Sequence, residues 1–191
     1  MKKRVKITKS KLLSDKFYQL RETEFQYLRN DGNWQSMKRI SFDRGDGAAV
    51  LLYNPVKKTV VLIRQFRFPA YENGYQDQLI EVCAGSLGNE TPEECVHREA
   101  KEETGYEIFN IKQVMVPFMS PGAVTEKLFL FTAEYNPESK VSDGGGLKTE
   151  GEDIEVLEMT LNQAMQLIEE GEIRDAKTII LLQYATLQKI L

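Results

Sequence analysis

The chain has 191 residues, 41% of them hydrophobic and 28% charged, the balance of an ordinary soluble globular protein. Its 25 Lys and Arg stand against 29 Asp and Glu, a net charge of −4, which speaks against a broad nucleic-acid surface. Two cysteines make no disulfide framework and a single histidine leaves zinc chemistry without ligands, so any metal must be held by oxygen.

The length fits one domain, or one domain with a small appendage, able to bury a core without staples. Met1 to Ile7 is basic but lacks the apolar run of a signal peptide, and Val60 to Ile63 is only strand-sized. The expectation is a cytoplasmic protein with no membrane partner.

The first forty-odd residues read as β-structure. Phe17 to Leu28 alternates imperfectly, Asp31-Gly32 is a hairpin turn, and Met37 to Phe42 is the return strand. Asp43 to Gly47 breaks the pattern and divides an N-terminal β-piece, residues 1–43, from a main domain, residues 44–191. Strands follow at Ala48 to Tyr53 and Thr59 to Phe66, then a loop at Tyr71 to Tyr75 and a strand from Gln78 to Ala84. The clearest helix runs from Pro92 to Thr104: Thr91 and Glu94 form a capping box, Pro92 suits the first turn, and Gly105 closes it. Strands are expected at Ile111 to Phe118 and Lys127 to Ala133. Ser142 to Glu152 reads as flexible and acidic, and a strand returns at Ile154 to Met159. Helices at Leu161 to Glu170 and at Ala176 to Ile190, the second capped by Asp175, end the chain. Without regular βαβ alternation, the fold class is α/β of the α+β type, a mixed sheet between helices.

The informative segment is Gly85 to Tyr106. Glu99, Glu102 and Glu103 project from one side of a helix, where like charges at these spacings are unfavourable by a few tenths of a kcal/mol per pair, about 0.2–0.5. Arg98 and Lys101 offset part of this, and a hard divalent cation would offset the rest. The plainer alternative is a solvated acidic face.

From Glu90 through Arg98-Glu99-Ala100-Lys101-Glu102-Glu103-Thr104-Gly105-Tyr106, this segment resembles the Nudix box, G-x5-E-x7-R-E-U-x-E-E-x-G-U, with U apolar. It departs in one respect: four residues, not five, separate Gly85 from Glu90. Arg64-Gln-Phe-Arg67, Ser120 to Glu126 and Glu152 to Glu155 are arranged as in the nucleotide-sugar branch of that family. Leu13-Ser-Asp15, Lys38-Arg39, Gly144-Gly-Gly146, Gly171 to Asp175 and Lys177 most resemble its members that act on GDP-mannose.

The resemblance implies a Nudix fold and hydrolysis of a nucleotide sugar's pyrophosphate with Mg²⁺ (or Mn²⁺). GDP-mannose would yield GMP and mannose 1-phosphate; ADP-ribose or another ADP-sugar is the alternative. A catalytically silent nucleotide sensor is a further alternative, opposed by the presence of all three helix glutamates. The resemblance further implies that Glu99, Glu103 and the Ala84 carbonyl bind metal and that Glu102 shares a second ion. Arg98 orients this cluster, and Glu152 serves as a ligand or general base. Glu126 contacts the sugar or a water, and Gly85 is a substrate contact. Arg67 grips phosphate with its planar guanidinium; its plainer reading is a surface charge on an edge strand. Phe17 stacks on the base or simply packs, and Lys177 reaches the nucleotide or is a solvated helix charge. Lys38 and Arg39 contact the nucleotide across a homodimer, motivated by a hairpin too small to be stable alone. His97, Cys83 and Cys95 are assigned no chemistry.

Overall fold

The computed structural model describes residues 3–191; Met1 and Lys2, counted above in the N-terminal β-piece, lie outside the described residues. The chain forms two compact units, one comprising the residues up to Asp46 with Phe118–Lys127, the other Gly47–Pro117 with Leu128–Leu191.

The first unit is an antiparallel meander of β1 (Val5–Ser14), β2 (Gln19–Leu28) and β3 (Trp34–Asp43). Gly32 turns β2 into β3 at φ 86°, and the Asp31 side chain accepts from the Asn33 N–H at 3.0 Å. The first strand is an addition to the two expected from the alternation. Its lysine-rich sequence hides a period interrupted by register shifts after Ile7 and Leu12. The register puts Val5 and Ile7 of β1 beside Tyr27 and Phe25 of β2, with Met37 of β3 opposite Phe25. On the other face lie Lys9, Lys11, Glu22, Glu24 and Lys38. No described residue of this sheet is fully buried. Segment 118–127 joins the unit through Phe42, whose N–H donates to the Ala123 carbonyl at 2.8 Å and whose carbonyl accepts from Thr125 N–H at 3.0 Å.

The second unit is built on β4 (Gly47–Asn54), β5 (Thr59–Gln65), β6 (Leu79–Glu81), β7 (Cys83–Ser86), β8 (Phe109–Met115), β9 (Leu128–Glu134) and β10 (Glu155–Thr160). These make a mixed sheet, ordered β10-β5-β4-β9-β8, with β6 on β5 and β7 on β4. Only β4 and β9 run parallel. The helices are α1 (Phe68–Glu72), α2 (Pro92–Glu99), α3 (Leu161–Glu169) and α4 (Ala176–Gln188). Ala48, Val50 and Leu52 of β4 bury one face with Cys95, Val96 and Ala100. Alternation sends Ala49 and Leu51, also fully buried, to the other face. α4 packs on β4, β6 and β9.

Two details differ from the sequence reading and position the site. The strand expected over Gln78 to Ala84 is two strands, β6 and β7, because β4 and β5 pair only through Leu52–Asn54 and Thr59–Val61 before parting. Beyond that point β5 takes up β6 and β4 takes up β7. The loop expected at Tyr71 to Tyr75 is in part helical: Tyr71 and Glu72 end a one-turn helix, α1, whose start Pro69 favours.

Candidate active site

The strand β7 runs through a short loop into α2, which is capped as the sequence indicated: Thr91 and Glu94 form the reciprocal capping box. The α-helical hydrogen bonding stops at Glu99, and Ala100–Thr104 continues as a π-helical turn. Thr104 Oγ1 donates to the Ala100 carbonyl there, the kind of side-chain competition that perturbs a helix ladder. Gly105, at φ 79°, closes the helix. Glu102 and Glu103 therefore lie in a wider turn than the continuous α-helix expected.

Strand and helix meet at the carboxylates. A Cβ on Gly85 would fall 1.6 Å from Glu99 Oε1, so glycine makes room for that side chain. The next residue back, Ala84, donates its N–H to Glu103 Oε2 at 3.1 Å. Glu103 is 1% exposed and makes no ion pair among the described residues. Burial, reinforced by Glu99 and Glu152, pushes its carboxyl up to about 8 against the Cys83 and Ala84 hydrogen bonds. Burial, with Glu102 and Glu152 adding to it, likewise raises Glu99 against the opposing pull of Arg98.

Arg98 is engaged by three carboxylates, with its Nη2 also 3.9 Å from the Cys95 sulfur. Its Nε and Nη2 donate to Glu90 at 2.9–3.1 Å, and its Nη1 faces Glu99 and Glu102 at 2.9 Å each. The shortened loop thus still delivers Glu90 to the helix, through a turn in which Glu90 N–H donates to the Leu87 carbonyl at 2.8 Å.

Gly144 to Gly146, read from sequence as part of a flexible stretch, are tied to the helix end. All three have positive φ, and the Gly145 and Gly146 N–H groups donate to the carbonyls of Glu103 and Glu102 at 2.9 and 3.1 Å. These bonds satisfy terminal helix carbonyls. The same loop holds Glu152, whose Oε2 accepts from the Leu147 N–H at 2.8 Å and lies where a Gly146 side chain would be. Glu152 thereby faces Glu99 and Glu103 closely enough to raise both.

Arg67, at the N-cap of α1, is no free surface charge. Its Nε and Nη2 donate to Glu81 Oε2 at 3.0 and 2.8 Å. Burial opposes its charge, but Glu81 and then Glu103 and Asp175 hold it protonated above its ordinary value. Lys177 lies in the same network, with its ammonium 3.4 Å from Glu81 and 3.0 Å from Asp175. Sequence reasoning missed Glu81, a carboxylate 3% exposed in an otherwise apolar run; a charge inside such a run is the signal that would have found it.

In the N-terminal unit, Phe17 sits between β1 and β2 at 85% exposure, so it is not core packing. Lys38 pairs with Glu22 and Glu24 at 3.3 and 3.1 Å, while Arg39 donates to the Lys38 carbonyl. As neighbours in β3 they point to opposite faces. Glu126 pairs with Arg44 at 3.3 Å. His97 is exposed on α2; burial first, then nearby glutamates, raises both thiols, Cys95 to about 11. Neither is thereby a thiolate nucleophile.

The donors suit a hard cation. Glu99, Glu102, Glu103 and Glu152 offer carboxylate oxygens, and those of Glu99 and Glu103 are held high by burial first and by neighbouring carboxylates second, both of which a cation would offset. Among the described residues, no three His, Cys, Asp or Glu side chains are already drawn together tightly enough to hold an ion.

The chain belongs to the Nudix family and is a pyrophosphohydrolase: residues 43–182 match the NUDIX domain, whose hydrolases generally use divalent metal ions. Residues 4–42 match the GDP-mannose pyrophosphatase NudK N-terminal domain. The chain is 46% identical to the GDP-mannose pyrophosphatases of Escherichia coli O157:H7 and Shigella dysenteriae serotype 1, over 192 positions and 100% of each chain. It is 48% identical to that of Escherichia coli O139:H28 over 185 positions, 96% of each chain. No described helix is long and apolar enough to cross a membrane.

Proposed function

We propose that this chain hydrolyses GDP-mannose to GMP and mannose 1-phosphate with Mg²⁺, Mn²⁺ being the natural substitute. The observation that carries the reading is the juxtaposition of buried Glu103 and Glu99 with Glu152 beside the Ala84–Gly85 backbone. Full-length similarity to GDP-mannose pyrophosphatases supports the substrate.

Glu99, Glu103 and the Ala84 carbonyl would hold one ion, with Glu102 and Glu152 available to a second. Such ions neutralise pyrophosphate charge and acidify an attacking water. Glu152, steadied by the Leu147 N–H, would be the carboxylate that takes the proton of a water attacking phosphorus, the bridging P–O bond being the one broken. Arg98 keeps Glu99 and Glu102 in place, and Arg67 and Lys177 supply donors to the phosphates. Phe17 offers an exposed ring to the base, and Lys38 and Arg39 offer donors to the nucleotide across a homodimer. Glu126 contacts the sugar or its waters, and Gly85 lines the substrate path.

The N-terminal unit supports a homodimer: its sheet buries none of its described residues fully and gathers Val5, Ile7, Phe25, Tyr27 and Met37 on one face. A cytoplasmic location agrees with two free cysteines.

The test is turnover of a nucleotide-sugar panel with product identification. GDP-mannose is expected to exceed ADP-ribose at least about tenfold in kcat/KM, a difference of about 1.4 kcal/mol. An equal preference for ADP-ribose contradicts the assignment. A homodimer near twice 21.9 kDa is expected in sedimentation, and a monomer at micromolar concentration contradicts it.

A further inference from the structure

We propose that Glu81 is a positioning residue for the hydrolysis, holding Arg67 and Lys177 together as a paired cationic grip for the pyrophosphate. The proposal rests on the reading that these two cations contact substrate phosphates, and extends it to the residue that sets their arrangement.

Arg67 and Lys177 come from separate parts of the chain, one at the start of α1 and the other in the first turn of α4. As like charges they repel, and their long side chains carry much rotamer freedom. Glu81 stands between them at the end of β6 and divides its oxygens. Oε2 accepts from Arg67 Nε and Nη2 and from Gln65 Nε2 at 3.2 Å, while Oε1 faces Lys177. Two further residues brace the arrangement. Asp175 holds Lys177 through Oδ1 and caps α4 through Oδ2, which accepts from the Thr178 N–H at 3.0 Å and its Oγ1 at 2.6 Å. Thr178 Oγ1 in turn accepts from the Val82 N–H at 2.8 Å, two residues before Ala84.

The donors left over point to the role. A guanidinium has five N–H groups. Glu81 uses the Nε–Nη2 edge, and Nη1 has no hydrogen-bond partner among the described residues. The Arg67 side chain is 41% exposed while the side chains of Glu81 and Lys177 are 4% and 12% exposed, so the anchored edge of Arg67 faces inward, its remainder meets solvent, and Lys177 is mostly covered. This is the arrangement of a cation braced from behind and offered to an anion in front.

The experiment is steady-state kinetics on GDP-mannose with saturating Mg²⁺ for Glu81→Gln, Glu81→Asp, Arg67→Ala and the double variant Glu81→Gln/Arg67→Ala, each with a melting curve. Glu81→Gln is expected to raise KM about tenfold with kcat within about threefold, and Glu81→Asp, which keeps the charge, to recover part of the loss. The double variant is expected to be no worse than Arg67→Ala alone, because Glu81 acts through that side chain. A KM within about twofold of wild type, or losses that multiply in the double variant, overturns the proposal. A purely structural role would lower the melting temperature without the split between KM and kcat. Should Glu81→Gln not fold, Glu81→Asp decides, with a KM raised at least about threefold in support and an unchanged KM against. If Arg67→Ala leaves KM unchanged, the phosphate reading itself fails; if it raises KM while Glu81→Gln does not, only the positioning role fails.

Discussion

Gly85 and Glu99 share space that only a glycine permits: a Cβ at position 85 would lie 1.6 Å from Glu99 Oε1. The obstructing atom ends a flexible side chain, so in Gly85→Ala the carboxylate is expected to swing away while the fold stays intact. Activity should fall about 100-fold, as misplacement of a reacting group by an ångström does. Stability should drop by only about 1–2 kcal/mol. Kinetics beside melting curves check this; a fall in both together would mean that the backbone, not Glu99, gives way.

Gly105 and Gly144 pack backbone against backbone, and neither can yield as Glu99 can. A Cβ on Gly144 would lie 2.5 Å from the Glu103 carbonyl oxygen, at a residue with φ 71°. Gly144→Ala is expected to cost about 2–3 kcal/mol, or roughly 5–10 °C in melting temperature. Gly151 has a similar φ of 77° but open space around it, so Gly151→Ala should cost only about 1 kcal/mol. Equal losses in the two variants would deny the close contact its role.

Arg98 works as a fork, and lysine cannot reproduce a fork. Arg98→Lys is expected to lower kcat/KM about 10–100-fold and to raise the Mg²⁺ concentration for half-maximal rate, since Glu99 and Glu102 lose their common donor. Glu90→Gln, which loses a half-exposed pair, should have a smaller effect. A Mg²⁺ titration of activity measures both.

Glu103 gives the metal-free protein a particular pH dependence. Its folded value near 8 stands above the ordinary 4.5, so the folded state binds a proton more tightly than the unfolded chain. The resulting stabilisation is fully present below 4.5 and is lost as pH rises through 8. Its magnitude is on the order of a few kcal/mol at about 1.4 kcal/mol per unit. Urea denaturation in chelator should show this decline, and Glu103→Gln should remove most of it. Saturating Mg²⁺ should offset the decline by favouring the carboxylate.

Local rules made the glutamate-bearing helix legible: the Thr91–Glu94 box, Pro92 and Gly105 fix its ends, and the glutamate spacing marks its acidic side. Most strands of the core were equally readable from their apolar runs, the exception being Gln78 to Ala84, whose single run hides β6 and β7 on different partners. Less legible were features set by distant partners. Tyr71 and its neighbours gave no helical period because α1 is one turn long. The three glycines at 144–146 read as a mobile stretch because their purpose, docking on the carbonyls of Glu102 and Glu103, depends on a helix forty residues earlier. Nothing in the sequence linked Arg67 to Lys177, because Glu81, which joins them, lies in a strand resembling pure core.

Glu103, as a metal-binding carboxylate, is the centre of the proposed pyrophosphate-cleaving site. The direct measurement is Mg²⁺-dependent hydrolysis of GDP-mannose by the wild type and Glu103→Gln, with metal saturating. A loss of at least about 100-fold in kcat is expected. Undiminished hydrolysis by Glu103→Gln would contradict the assignment at its centre.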